Sequence, residues 1–229
     1  MTSLLLQEPN VVATVGEFFA AGGKLMWAIL GCSVVVVGLA LERYLSLRKA
    51  RVLPRVVVDA VEQVVDGRAD VVQDGILEAK APAARVLAAG LRRRGRRLAD
   101  IEKAMEDQLL KEQAAFRGNI RGITLCAAIA PLLGLLGTVL GIADAFAAVE
   151  QNGLGKAESS EALAAGIKVA LYTTIFGLGV AIPATLLAAH LHARVRRLVL
   201  AIGDTVQPAV DRLAPAPGVR AGEEGQDAA

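Results

Sequence analysis

Residues 122–149, GITLCAAIAPLLGLLGTVLGIADAFAAV, and residues 162–186, ALAAGIKVALYTTIFGLGVAIPATL, decide the fold of this chain. Both runs exceed the roughly 20 residues that cross a bilayer core, and a short polar turn joins them. Each carries threonine near its middle (Thr138; Thr173 and Thr174) and one proline, Pro131 or Pro183. Neither carries an acidic group at threonine level.

Working outward, a third run, LMWAILGCSVVVVGLAL at 25–41, sits between Lys24 and Glu42–Arg43. It starts too far in for a usual signal peptide, and no small-x-small cleavage site follows it before charged residues resume. With 54% hydrophobic residues over 229 positions, the chain exceeds the apolar share of ordinary soluble domains. The expected fold is therefore an all-α integral membrane protein of three transmembrane helices with long cytoplasmic helical extensions.

Charge distribution orients it. The net charge is +2, but 17 of the 25 Lys and Arg fall between Arg43 and Arg121, whereas the 150–161 turn holds only Lys156. Cytoplasmic loops concentrate basic residues. The expected layout is an outer-face segment at 1–22, a first span at 23–42, a cytoplasmic helical domain at 43–121 and a second span at 122–149. A periplasmic turn at 150–161, a third span at 162–193, and a cytoplasmic helix with a disordered tail at 194–229 complete it. Within the cytoplasmic domain, Leu53, Val57, Val61 and Val64 repeat at helical spacing ahead of an Asp66–Gly67 turn. Ile101, Met105, Leu109 and Phe116 make a second stripe, on a helix expected to run unbroken into the membrane.

Small residues punctuate the second and third spans at offsets of three and four. Gly134, Gly137, Thr138, Gly141 and Ala145 share one face of the second; Gly166, Ala170, Thr174, Gly177 and Ala181 share one face of the third. In lipid no hydrophobic effect drives helices together, so such faces permit close approach. One reading is packing alone, with each threonine bonded back to a carbonyl. The other is a narrow, mildly polar lumen formed by a ring of these faces.

The segments LLGLLGTVLGIADAF (132–146) and GIKVALYTTIFGLGVAIPA (166–184) resemble the two signature segments of the ExbB/TolQ/MotA family of inner-membrane motor proteins. LERYLSLR (41–48) is similar to that family's first-helix exit. Size and loop layout look more like ExbB/TolQ than MotA. The resemblance implies a homo-pentamer around two copies of a single-span ExbD/TolR-like protein that carries an intramembrane aspartate. It also implies a TonB/TolA-like periplasm-spanning effector and a place in the bacterial inner membrane. Thr138 and Thr174, with Thr173 beside them, would line the ion pathway. The expected function is a proton channel and stator subunit coupling ion-motive force to mechanical work; the alternative is a non-conducting membrane scaffold of a related envelope complex. The residues agree on one point independently: a proton pathway needs a titratable group, threonine is not one, and so the carboxylate must come from a partner.

One position departs from the family. Where such proteins often carry glutamate, five residues before the third-span threonine, this chain has Val169, with Lys168 beside it. A charge inside a span is costly. Asp144 and Lys168 each lie six residues, about 9 Å, outward of a threonine, so they are expected to form a buried structural ion pair between the spans.

The remaining candidates are plainer. Arg92, Arg93, Arg94, Arg96 and Arg97 are read as facing anionic lipid rather than nucleic acid. His190 and His192 point different ways on a helix, so no metal site is expected there, and Cys32 and Cys126 read as small buried hydrophobes. The chain has no P-loop, GxSxG, HExxH or CxxC pattern, so neither an enzyme nor a cofactor is expected.

Overall fold

Two helices of more than fifty residues carry the architecture in the computed structural model, which describes residues 23–69, 72, 75–76, 79–153 and 157–214. The elements are α1 (Gly23–Ser46), α2 (Lys49–Val52), α3 (Arg55–Val65), α4 (Pro82–Leu91), α5 (Leu98–Asn152) and α6 (Ala157–Leu213). The expectations for 1–22, for Lys156 and for the tail from Pro215 lie outside the described residues. Three helices, α1, α5 and α6, contain stretches long and apolar enough to cross a membrane. The chain is an all-helical membrane protein.

The helices reach further than the expected turn allowed. Helix α5 continues to Asn152 and α6 begins at Ala157, so the turn is shorter than 150–161. Gly153 closes α5 with φ of +86°, a left-handed conformation that glycine adopts without strain. Ser159 donates to the Gly153 carbonyl at 2.7 Å and ties the start of α6 to that turn. Helix α6 runs through residue 193 to Leu213, so the third span and the helix after it are one continuous helix; neither glycine nor proline interrupts residues 187–202.

The described residues form two compact bodies: 23–41 with 121–189, and 42–120 with 190–214. In the second, large apolar side chains turn inward as in a soluble bundle. Val57, Val61 and Val64 of α3, Val86, Leu87 and Leu91 of α4, Ile101, Met105 and Phe116 of α5, and Leu191, Val195 and Ile202 of α6 are all buried. Leu53 and Leu109, the remaining members of the two stripes, are half-buried. The α3 helix stops where expected, with Gly67 at φ +85° accepting the reversal. Gly90 admits Met105: a Cβ there would lie within 2.5 Å of the Met105 sulfur.

The first body is built the opposite way. Many of its large side chains face outward (Leu132, Leu135, Val139, Phe146, Leu171, Ile175 and Ile182 are exposed), while the face buried between α5 and α6 is made of small residues. Val34, Val35 and Val37 of α1 are likewise exposed. Lipid tails are as apolar as leucine, so an outward apolar coat costs nothing in a bilayer, and helix contact rests on close packing.

Candidate functional site: the glycine–threonine seam

The seam between α5 and α6 runs through Ala130, Gly134, Gly137, Gly141 and Ala145 on one side. Gly166, Ala170, Thr173, Gly177, Ala181 and Ala184 stand on the other. The two backbones meet directly. A Cβ at Gly134 would stand 2.9 Å from the Thr173 carbonyl oxygen, one at Gly177 2.7 Å from the Ala130 carbonyl oxygen, and one at Gly141 3.0 Å from the Gly166 carbonyl oxygen. Gly137 faces the Thr173 side chain itself, and Gly166 faces Ala145. All six expected packing residues (Gly134, Gly137, Gly141, Gly166, Gly177 and Ala181) therefore lie in or beside this interface.

The threonines divide. Thr173 is fully buried in the seam, where its hydroxyl is 2.9 Å from the Ala170 carbonyl and 3.3 Å from the Gly134 carbonyl of the other helix. With one proton it shares or alternates between them. Thr174 is half-buried at the seam's edge and reaches the same Gly134 carbonyl at a longer 3.4 Å. Thr138 is half-buried and donates to the Leu135 carbonyl one turn back, at 2.6 Å. The packing face of α6 is thus Gly166–Ala170–Thr173–Gly177, and not the expected face through Thr174. Likewise Thr138 flanks the α5 face instead of belonging to it.

The expected Asp144–Lys168 pair does not form. Both side chains are exposed on the chain's surface, and neither belongs to the salt bridges of the described residues. Lys168 instead holds its Nζ 5.6 Å from the centroid of the Tyr172 ring, one turn along α6. The physical reason is rotational. Gly141, Ala145, Gly166 and Ala170 occupy the line of contact between the helices; Asp144 is one residue from Ala145 and Lys168 two from Gly166 and Ala170, and those offsets turn both onto outward faces.

Cys32 and Cys126 are free thiols. Outside the seam, sequence reasoning missed a buried carboxylate: Glu112 of α5, bonded to Arg85 of α4 and to Gln108 Nε2 at 2.7 Å. No motif joins positions 27 residues apart on separate helices; a lone acid interrupting an otherwise apolar helical stripe was its one sequence signal.

Residues 78–203 match the MotA/TolQ/ExbB proton channel family. A putative biopolymer transport protein ExbB homolog of Methanothermobacter thermautotrophicus is 33% identical over 181 residues, covering 76% of this chain and 61% of that protein. The ExbB-like 1 protein of Synechocystis is 33% identical over 189 residues, covering 80% and 70% respectively. The biopolymer transport protein exbB1 of Vibrio cholerae is 41% identical over 88 residues, covering 34% of this chain and 38% of its own length. The chain spans less than two thirds of the first and last of these. Among solved structures, a chain of C. jejuni MotAB shares the fold with a TM-score of 0.57 at 18% identity, covering 85% of this chain and 77% of that one.

Proposed function

The chain belongs to the MotA/TolQ/ExbB proton channel family, and from that premise we propose that it is the channel and stator subunit of an inner-membrane motor whose titratable carboxylate is supplied by a single-span partner. The observation that carries this is the state of the seam. Thr138 and Thr174 sit half-exposed at its margins, their protons committed to backbone carbonyls. Hydroxyl lone pairs are thereby left toward whatever stands beside the helices. No Asp or Glu lies on either helix within five residues of Thr138 or Thr174. Carrying one charge through 100 mV yields about 2.3 kcal/mol, and only where some group takes the ion up within the membrane. A threonine pair with no acid is suited to hold a carboxylate, not to replace one.

In this reading several copies, five by family resemblance, present their seam margins to a shared axis occupied by two ExbD/TolR-like helices, each with an aspartate at threonine depth. The N-terminal segment and the connection between α5 and α6 face the periplasm. Residues 43–121 and the inner half of α6 lie in the cytoplasm, following the basic residues. A TonB/TolA-like effector would then receive the work outside.

Thr174→Val tests it. Valine keeps the volume and removes the hydroxyl, so the assembly is expected to form normally while proton-driven work, measured as ion flux in vesicles with the partner co-expressed, falls at least tenfold. Full flux at normal expression in Thr174→Val and Thr138→Val would remove both from the pathway. No flux in the parent complex would favour a non-conducting scaffold, the reading that Val169 in place of a glutamate supports.

A further inference from the structure

A pocket of about 400 Å³ opens in the second body, walled by α1's last turns, the start of α4 and the middle of the cytoplasmic part of α5. Its charge is lopsided. Arg43, Arg51, Lys80 and Arg85 line it against a single acid, Glu112. That acid is already committed: Arg85 and Gln108 occupy its two oxygens. Arg43, Arg51 and Lys80 form no salt bridge among the described residues.

Two further features point inward to a ligand. Arg43 is only 7% exposed, and its Nε has no hydrogen-bond partner, while Nη2 donates to the Ala115 carbonyl at 3.3 Å. Burying a guanidinium with an orphaned N–H costs about 1–3 kcal/mol or more unless something completes it. Beside it, the ten-residue α4 begins at Pro82 with Ala81 as its N-cap, and no side chain caps it. Ala81 and Pro82 both line the pocket. The positive end of a helix and its unbonded N–H groups therefore meet the same space as three uncompensated cations.

We propose that this pocket binds a phosphate group, held by the Arg43 guanidinium and the α4 N-terminus and attracted by Arg51 and Lys80. Guanidinium forks and helix N-termini suit phosphate oxygens, and the volume admits a phosphorylated headgroup or a small phosphate compound. Arg43 follows the last apolar residues of α1 directly. In the proposed topology, on which only the lipid source of the phosphate depends, the pocket opens at the depth of the cytoplasmic headgroups.

The test uses the full-length protein purified in a neutral detergent. One arm adds inorganic phosphate at constant ionic strength; the other reconstitutes the chain in nanodiscs of phosphatidylcholine with or without phosphatidylglycerol. Both read the thermal midpoint and the bound ligand by native mass spectrometry. Saturable stabilisation is expected in at least one arm, weakened tenfold or more by Arg51→Gln with Lys80→Gln. These two side chains are exposed, so their replacement leaves the fold intact. Stabilisation by phosphate marks a soluble ligand, and stabilisation by phosphatidylglycerol alone marks a lipid. As a control, Lys103→Gln with Arg212→Gln, two exposed cations outside the pocket, should change neither arm. The proposal is overturned if chloride at matched ionic strength stabilises equally, if the pocket variant binds as well as the parent, or if the control variant loses as much as the pocket variant. None of these readings involves ion flux, so failure here leaves the channel assignment standing.

Discussion

The two halves of α5 obey opposite packing rules. From Leu98 to about residue 120 its buried face is Ile101, Met105, Phe116 and Ile120, large side chains that leave water by meeting α4 and α6. From about residue 123 onward the buried face becomes Ala127, Ala130, Gly134, Gly137, Gly141 and Ala145, while leucines, valines and a phenylalanine turn outward. The helix is the same; the surroundings it is written for are not. In water, burying a Leu or Phe contributes about 1.5–3 kcal/mol. Against lipid that gain vanishes, and backbone-to-backbone approach takes its place. The difference teaches where each half is fragile: the Leu98–Ile120 half to lost volume, the seam to added volume.

Gly177→Ala should break the seam with a large effect for a single methyl. Its Cβ would lie 2.7 Å from a carbonyl oxygen of the facing backbone, which can yield only if the helices part. Overpacking of this kind costs about 1–3 kcal/mol, and the expected outcome is loss of the intact assembly on size exclusion. Gly179→Ala, two residues away with nothing within 4 Å of its Cβ, should behave as the parent or slightly better. Equal behaviour of the two variants would mean that the seam is not a tight interface.

The matching cut in the Leu98–Ile120 half removes bonds while keeping a side chain of similar size. Glu112→Leu takes away an acceptor that Arg85 and Gln108 share in a nearly buried position. Because the Arg85 side chain is half in solvent, the loss is discounted to about 1–2 kcal/mol. Hydrogen exchange should accelerate in 82–91 and 101–116 while residues 130–145 keep their protection. Uniform acceleration along α5 would show that the two bodies do not open separately.

These contrasts also mark how far the sequence could be read. The three spans, the Val57–Val64 and Ile101–Phe116 stripes and the six small packing residues were legible because each rests on one helical period in one helix. Which threonine enters the seam was not. Residues 170, 173 and 177 and residues 170, 174 and 177 are both spaced by threes and fours, and adjacent positions differ by only 100° of rotation. Choosing between them needs the facing helix, where Gly137 leaves the space that Thr173 fills. The Asp144–Lys168 expectation failed for a related reason: equal depth is fixed by counting residues, but azimuth is fixed by the partner. The Arg43 pocket was hidden more deeply, since its wall comes from three separate segments between residues 43 and 116.

Thr173→Val sharpens the division among the threonines. Its hydroxyl bonds within the seam, and hydrogen bonds between membrane helices contribute about 0.6 kcal/mol on average and at most about 1.7. A stability loss near 1 kcal/mol with retained ion flux is expected, the reverse of Thr174→Val. Lost flux at full stability would move Thr173 back into the pathway.

The smallest expected effect concerns the two charges that do not meet. Lys168 stands over Tyr172, and Asp144 is exposed on the other helix. A cation over an aromatic face contributes about 0.5–1 kcal/mol at an exposed site. Two double-mutant cycles on thermal stability separate the possibilities. Lys168→Met with Tyr172→Leu should show coupling of that size, because either change alone already removes the contact. Lys168→Met with Asp144→Asn should be additive within about 0.5 kcal/mol, as residues without a shared partner are. Coupling above 1 kcal/mol in the second cycle would mean that the charges do engage. Mixing singly substituted chains would then tell a bond within one chain from a bond between copies, since only the latter survives in an assembly that keeps Asp144 on one chain and Lys168 on its neighbour.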